Sequence, residues 1–134
     1  MTNTTLDSRL PQSQLPQVLV VDDDASIRGA LDVKFTKAGF AVTLCRDGEE
    51  GLEALRNQRF NMVVLDVNMP GKSGIDVLKE IASTQNAETP TFVLTAQANH
   101  CDEVQQLGAR RCFVKLNYPL RDVVASICKE VPAA

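Results

Sequence analysis

No apolar run in the chain approaches the ~18–20 residues that cross a bilayer, so the sequence predicts no transmembrane helix. The opening stretch, MTNTTLDSRLPQSQLPQ, has no apolar centre and does not read as an export signal. Basic residues are scattered, Arg110-Arg111 is the one adjacent pair, and the net charge is −3. That excludes the basic footprint of a nucleic-acid binder. The four cysteines, Cys45, Cys101, Cys112 and Cys128, make no C-x-x-C pair. The single histidine, His100, is the neighbour of Cys101, and adjacent residues converge poorly on one metal, which argues against zinc. The expectation is reduced, mostly buried thiols in a cytoplasmic protein without membrane attachment.

What is present fits one globular domain: 134 residues, 44% of them hydrophobic and 23% charged. Residues 1–16 are rich in Thr, Ser, Gln, Asn and Pro, show no periodicity, and read as a flexible tail. The folded domain is expected over 17–131, with 132–134 as a short end. Val18 to Val21 is a continuous apolar run, the mark of a strand buried on both faces. A helical pattern follows, with Ile27, Ala30, Leu31, Phe35 and Ala38 on one side and Gly39 at its end. Phe40 to Cys45 is a second strand, and Asp47-x-x-Glu50 resembles a capping box before Leu52 and Leu55. Met62 to Leu65 is a third strand, followed by a turn-rich stretch and a helix marked by Ile75, Leu78 and Ile81. Phe92 to Leu94 and Cys112 to Val114 are further strands, and Leu120, Val123, Val124, Ile127 and Val131 mark a last helix. Strands alternating with helices through short loops predict βαβ units. The fold class is therefore α/β, a doubly wound five-stranded parallel sheet with helices on both faces.

In such sheets, binding groups gather beyond the carboxyl ends of the strands. Those ends carry Asp22, Asp23 and Asp24 after strand one, Asp66 after strand three, Thr95 after strand four and Lys115 after strand five. Each alone has a bland reading as a helix cap, a turn residue or a surface charge. Together they make an acidic cluster with one hydroxyl and one ammonium. Close carboxylates raise one another's pKa values, and a divalent cation relieves that cost. An all-oxygen set with free positions suits Mg²⁺. One carboxylate could then attack a phosphoryl group.

VLVVDDDASIR, VVLDVNMPGKSG, FVLTA and FVK resemble the response-regulator receiver domains of two-component signalling, over about residues 17–131. The resemblance implies a flavodoxin-like strand order, 2-1-3-4-5. It makes Asp66 the phospho-acceptor. Asp22 and Asp23 match the acidic pair that holds Mg²⁺ (or Mn²⁺), directly or through water, and Asp24 falls at a variable position. Asn68 matches the residue whose backbone carbonyl joins the metal, and Thr95 and Lys115 match the groups that hold the phosphoryl. The implied donor is a phosphohistidine on a histidine kinase or histidine phosphotransfer protein, and the reader is an unknown downstream protein. The only implied chemistry is self-catalysed phosphorylation and dephosphorylation, with Asn68 and Gln97 flanking the attacking water. A competing reading is a pseudo-receiver that binds partners without phosphorylation. A flavin-binding or phosphatase role is a distant third, since the aspartates would repel a phosphate.

Three departures from the family pattern carry expectations. Lys115 precedes Leu116 rather than the usual proline, so a trans bond or a reshaped loop is expected. Cys112 occupies the usual aromatic switch position, and strand alternation places Phe113 on the other face. The segment from Ala96 to Leu107 is polar, which predicts a fourth helix that is shortened, displaced or mobile.

Overall fold

Val18 to Val21 are fully buried, and their side chains alternate between two separate cores. Leu19 and Val21 join one core with Leu52, Leu55, Val63, Leu65, Val77, Leu78, Val93 and Val104. Val18 and Val20 join the other with Leu31, Phe35, Met62, Val64, Phe92, Phe113, Val123 and Ile127. Each of these larger side chains, once fully buried, stabilises the fold by roughly 1.5–3 kcal/mol. A central strand apolar on both faces can only be covered by helices on both sides, which is the reason for the three-layer architecture.

The computed structural model describes residue 11 and residues 14–132. The elements run β1 (Gln17–Val21), α1 (Ala25–Lys37), β2 (Ala41–Cys45), α2 (Gly48–Asn57), β3 (Met62–Asp66), α3 (Gly74–Ile81), β4 (Thr91–Thr95), α4 (Cys101–Gln106), β5 (Arg111–Val114) and α5 (Leu120–Glu130). All strand pairs are parallel, as the alternating pattern predicts, in the order β2-β1-β3-β4-β5 that the resemblance implies. The tail expected over 1–16 lies largely outside the described residues.

The helix starts are set locally. Asp24 caps α1 by accepting from the Ser26 and Ile27 N–H groups at 2.8 and 3.2 Å. Gly39, just beyond α1, has φ 100°, a left-handed conformation that closes the helix cheaply only with glycine. Asp47 caps α2 by accepting from Glu50 N–H at 2.9 Å, but Glu50 reaches back to Arg46 N–H rather than to the cap, so the expected box is half formed. A complete capping box forms instead at Ser73 and Asp76 on α3. Asn86 is fully buried and spends every polar atom: its amide donates to the Leu55 and Gln58 carbonyls at 2.8 Å, and its oxygen accepts from Phe60 N–H and Thr89 Oγ1. It fixes the loops that enter β3 and β4.

The fourth helix is shortened, as its polarity predicts. It has six residues, preceded by a 3-10 turn at Ala98–His100, and Val104 is its one buried side chain. The cysteines require a correction. Cys101 and Cys112 are joined in a disulfide, while Cys45 is free and buried and Cys128 is free and half-buried. The lack of a C-x-x-C pair and of an export signal, on which the expectation of reduced thiols rests, does not bear on cysteines 11 positions apart that the fold brings together. These two are brought within 5.5 Å, Cα to Cα, because the short α4 begins beside β5. Closing the loop between them stabilises the fold by about 3 kcal/mol in the chain-entropy account. Among the described residues no peptide bond is cis, and Lys115–Asn117 form a 3-10 turn, the reshaped loop expected from Leu116. Phe113 lies in the core opposite Cys112, and its ring meets Tyr118 edge-on at 6.0 Å across that turn.

Gly74 and Gly29 give opposite expectations for one substitution. A Cβ on Gly74 would collide with the Asp66 carbonyl oxygen and come within 2.8 Å of Val67 Cα, whereas Gly29 has nothing within 4 Å. Gly74→Ala is expected to destabilise by about 1–3 kcal/mol. Gly29→Ala is expected to stabilise by roughly 0.5–1 kcal/mol, as alanine does in an exposed helix. Denaturant titrations of both variants check this.

Candidate functional site

β1 and β3 are neighbours in register, with Val21 opposite Leu65, so the residues that follow them end side by side. This is why Asp22 and Asp66, far apart in sequence, share one pocket at the carboxyl edge of the sheet. Both are 1% exposed. Asp23 is exposed, and ligand-capable oxygens of Asp22, Asp23 and Asp66 lie within 4.8 Å of one another. Lys115, carried past the end of β5, places Nζ 3.2 Å from Asp66 Oδ1 and 3.4 Å from Asp22 Oδ2. Asp22 Oδ1 accepts from Asp24 N–H at 2.9 Å, and Asp66 Oδ1 accepts from Asn68 N–H at 3.2 Å.

The second carboxylate oxygens are less well served. Asp22 Oδ2 and Asp66 Oδ2 are buried without a hydrogen bond, the lysine lying beyond hydrogen-bond geometry from the first. A buried carboxylate oxygen with no donor is costly. Burial pushes the Asp66 carboxyl up to about 7, aided by the Asp22 charge and opposed by Lys115 and the Asn68 N–H. Burial also raises Asp22, against the Asp24 N–H and the Lys115 charge. Burial alone would lower Lys115, but the two aspartate charges outweigh it and hold the ammonium charged. The pocket is therefore one positive charge short. Asp22, Asp23 and Asp66 are hard oxygen donors, and a hard divalent cation supplies what the bare oxygens lack.

Thr95 is fully buried at the end of β4. Its Oγ1 lies 3.4 Å from Asn68 Oδ1, 3.1 Å from the Gln97 carbonyl and 3.1 Å from His100 Nδ1, and it accepts from Gln97 N–H at 3.1 Å. Asn68 Oδ1 also accepts from Ala96 N–H at 3.3 Å, so the Asn68 side chain ties the β3 and β4 loops together. Gln97 meets Thr95 through its backbone, and its side chain is exposed. Asp24 is spent on capping α1. Cys112 lies in β5 opposite Val93, within the disulfide. His100 as a partner of Thr95 is not foreseen from the sequence. No spacing signals this contact, because the irregular turn after β4 sets it.

Raised carboxyl pKa values set a pH dependence. Between the ordinary carboxyl range and about 7, folded Asp66 holds a proton that the unfolded chain has lost, so this group's contribution to stability falls as pH rises. A cation that needs the ionised pocket reverses the trend. Excess Mg²⁺ is expected to raise the melting temperature by several degrees more near pH 8 than near pH 5.5. Thermal melts with and without the cation check it, and equal shifts at both values would contradict it.

A profile described as the response regulator receiver domain matches residues 18–125. The transcriptional regulatory protein AfsQ1 of Streptomyces coelicolor is 39% identical over 103 residues, which cover 75% of this chain and 45% of that protein. The chain thus spans about half the length, or less, of the curated relatives it matches. Among solved structures, the chemotaxis protein CheY4 of Vibrio cholerae is similar at 29% identity and a TM-score of 0.78, covering 87% of this chain and 98% of that one. The response regulator TrrA of Thermotoga maritima, solved in complex with Mg²⁺ and BeF, is similar at 27% identity and a TM-score of 0.75, covering 85% and 97%.

Proposed function

The chain belongs to the response regulator receiver domain family, and from that premise we propose that Asp66 accepts a phosphoryl group from a phosphohistidine on a partner kinase or phosphotransfer protein. The observation that carries this reading is a buried Asp66 carboxylate beside a buried Asp22, with one ammonium between them. The group comes to Asp66 by attack of a carboxylate oxygen on phosphorus. The phosphorus–nitrogen bond to the donor imidazole breaks, and that ring keeps the electron pair and takes up a proton.

Asp22, Asp23, Asp66 and the Asn68 carbonyl would hold Mg²⁺, with Mn²⁺ as a substitute. When bound, the ion neutralises the carboxylates and screens the incoming phosphoryl oxygens. Lys115 keeps its charge beside Asp66 and supplies the second cationic contact. The Thr95 hydroxyl turns from its present partners to a phosphoryl oxygen, which moves the β4–α4 loop. That loop and α4 then offer a downstream protein a changed surface. Asn68 and Gln97 stand two residues beyond Asp66 and Thr95 and would orient the hydrolytic water. The chain does no other chemistry in this account.

Among the described residues no helix is long and apolar enough to cross a membrane. The transcriptional roles in the relatives' names belong to those longer proteins, and in this chain the scattered basic residues favour a protein partner over nucleic acid.

Cys112, tied into a disulfide at the usual switch position, favours the second reading, an interaction domain that works unphosphorylated. Intact-mass spectrometry after incubation with Mg²⁺ and acetyl phosphate separates the two. One phosphoryl adduct is expected, absent in Asp66→Asn and without divalent cation. Lys115→Ala is expected to slow adduct formation about 100-fold. A folded protein that takes up neither phosphoryl nor beryllofluoride would establish the second reading. Given an adduct, Asn68→Ala and Gln97→Ala are each expected to change its lifetime, and unchanged decay in both would remove them from the hydrolytic step.

A further inference from the structure

Thr95 has one hydroxyl proton and no shortage of partners. The Gln97 carbonyl, Asn68 Oδ1 and His100 Nδ1 all lie within 3.4 Å of its oxygen. The imidazole engages the hydroxyl in either tautomer, as acceptor or as donor. Any phosphoryl oxygen on Asp66 competes with these groups for Thr95.

His100 sits at a poorly anchored place. It ends the 3-10 turn Ala98–His100, where Ala96 to Asn99 are exposed, and the following α4 buries only Val104. A helix of six residues has little stability of its own. The next residue, Cys101, is bonded to Cys112 of β5. Cys112 pairs with Val93 in the sheet, and Val114 pairs with Thr95. The disulfide therefore fastens His100's neighbour to the strand beside the one that ends in Thr95. Both cysteines are half-buried rather than sealed in a core.

We propose that Cys101 and Cys112 form a thiol–disulfide modification site that sets how firmly His100 holds the Thr95 hydroxyl, and thereby how readily Asp66 takes a phosphoryl group. The inference rests on the reading of Asp66 as acceptor. His100 is the positioning residue. In the oxidised form the strap keeps the ring on Thr95 and disfavours the turned hydroxyl. In the reduced form the start of α4 is released, and Thr95 is free to meet the phosphoryl.

The chemistry is a two-electron exchange with a dithiol. A dithiol thiolate attacks one sulfur of the Cys101–Cys112 bond, and the other cysteine leaves as thiolate and takes a proton. The second dithiol sulfur then displaces the mixed disulfide, leaving two protein thiols and an oxidised dithiol. A low-molecular-weight disulfide runs the exchange backwards and is itself reduced to two thiols.

Beryllofluoride binding with Mg²⁺, followed by calorimetry on the oxidised and dithiol-reduced chain, tests this, with thiol alkylation and mass spectrometry reporting the state of each cysteine. Losing one neutral hydrogen bond to Thr95 predicts about fivefold tighter binding after reduction. Cys101→Ser/Cys112→Ser is expected to bind like the reduced chain under both conditions. His100→Ala is expected to bind tightly whether oxidised or reduced, an insensitivity that a merely structural histidine would not produce. Cys45→Ser/Cys128→Ser keeps the full redox response. Equal affinity in both states overturns the proposal while leaving Asp66 as acceptor, as does a redox response that survives in Cys101→Ser/Cys112→Ser. Thiols at Cys101 and Cys112 that stay alkylatable after treatment with the disulfide oxidant also overturn it. No beryllofluoride binding in any state overturns the acceptor reading, and this proposal with it.

Discussion

One ammonium stands between two buried carboxylates. Lys115 Nζ lies 3.2 Å from Asp66 and 3.4 Å from Asp22, and both acids are 1% exposed. Two buried negative charges against one positive charge leave the pocket unbalanced, and burial penalises the ionised forms further. The unfilled demand has addresses, Asp22 Oδ2 and Asp66 Oδ2, neither of which has a hydrogen bond. A hard cation and a phosphoryl group together would satisfy the site. The cost of burying these carboxylates is met elsewhere, by the two apolar layers that bury β1 and β3.

The rest of the structure follows from keeping that pocket at the sheet edge. β1 and β3 must be adjacent for Asp22 and Asp66 to meet, which the strand order provides. Gly74 lets the start of α3 press against the Asp66 carbonyl, so the loop after β3 folds back tightly. Asn68 then spans from that loop to Thr95 and Ala96, coupling the strand that ends in Asp66 to the next one. The 3-10 turn after β5, braced by Phe113 against Tyr118, delivers Lys115 without a proline.

The architecture was legible because each strand is a short apolar run that stops on a polar residue. Those stopping residues, Asp22, Asp66 and Thr95, are all buried, and only the sheet reveals that Asp22 and Asp66 meet at Lys115 while Thr95 meets Asn68. The cap of α2 was half legible, since Asp47 takes its place but Glu50 pairs with Arg46 instead. The complete box at Ser73 was hidden in a stretch read as turn. The disulfide was not legible, because Cys101 and Cys112 are 11 positions apart and converge only through the shortness of α4. For the same reason the contact of His100 with Thr95 could not be read from spacing. Local pattern specifies the strands; the irregular β4–α4–β5 limb is set by contacts that cross between them.

A crystal structure with Mn²⁺ and beryllofluoride tests the central claim most directly, because anomalous scattering locates the cation without assumption. The account predicts the ion among Asp22, Asp23 and Asp66, beryllium on the Asp66 carboxylate, Lys115 on a fluoride, and the Thr95 hydroxyl turned away from His100. An ion bound elsewhere, or an Asp66 carboxylate left bare under saturating beryllofluoride, would contradict it.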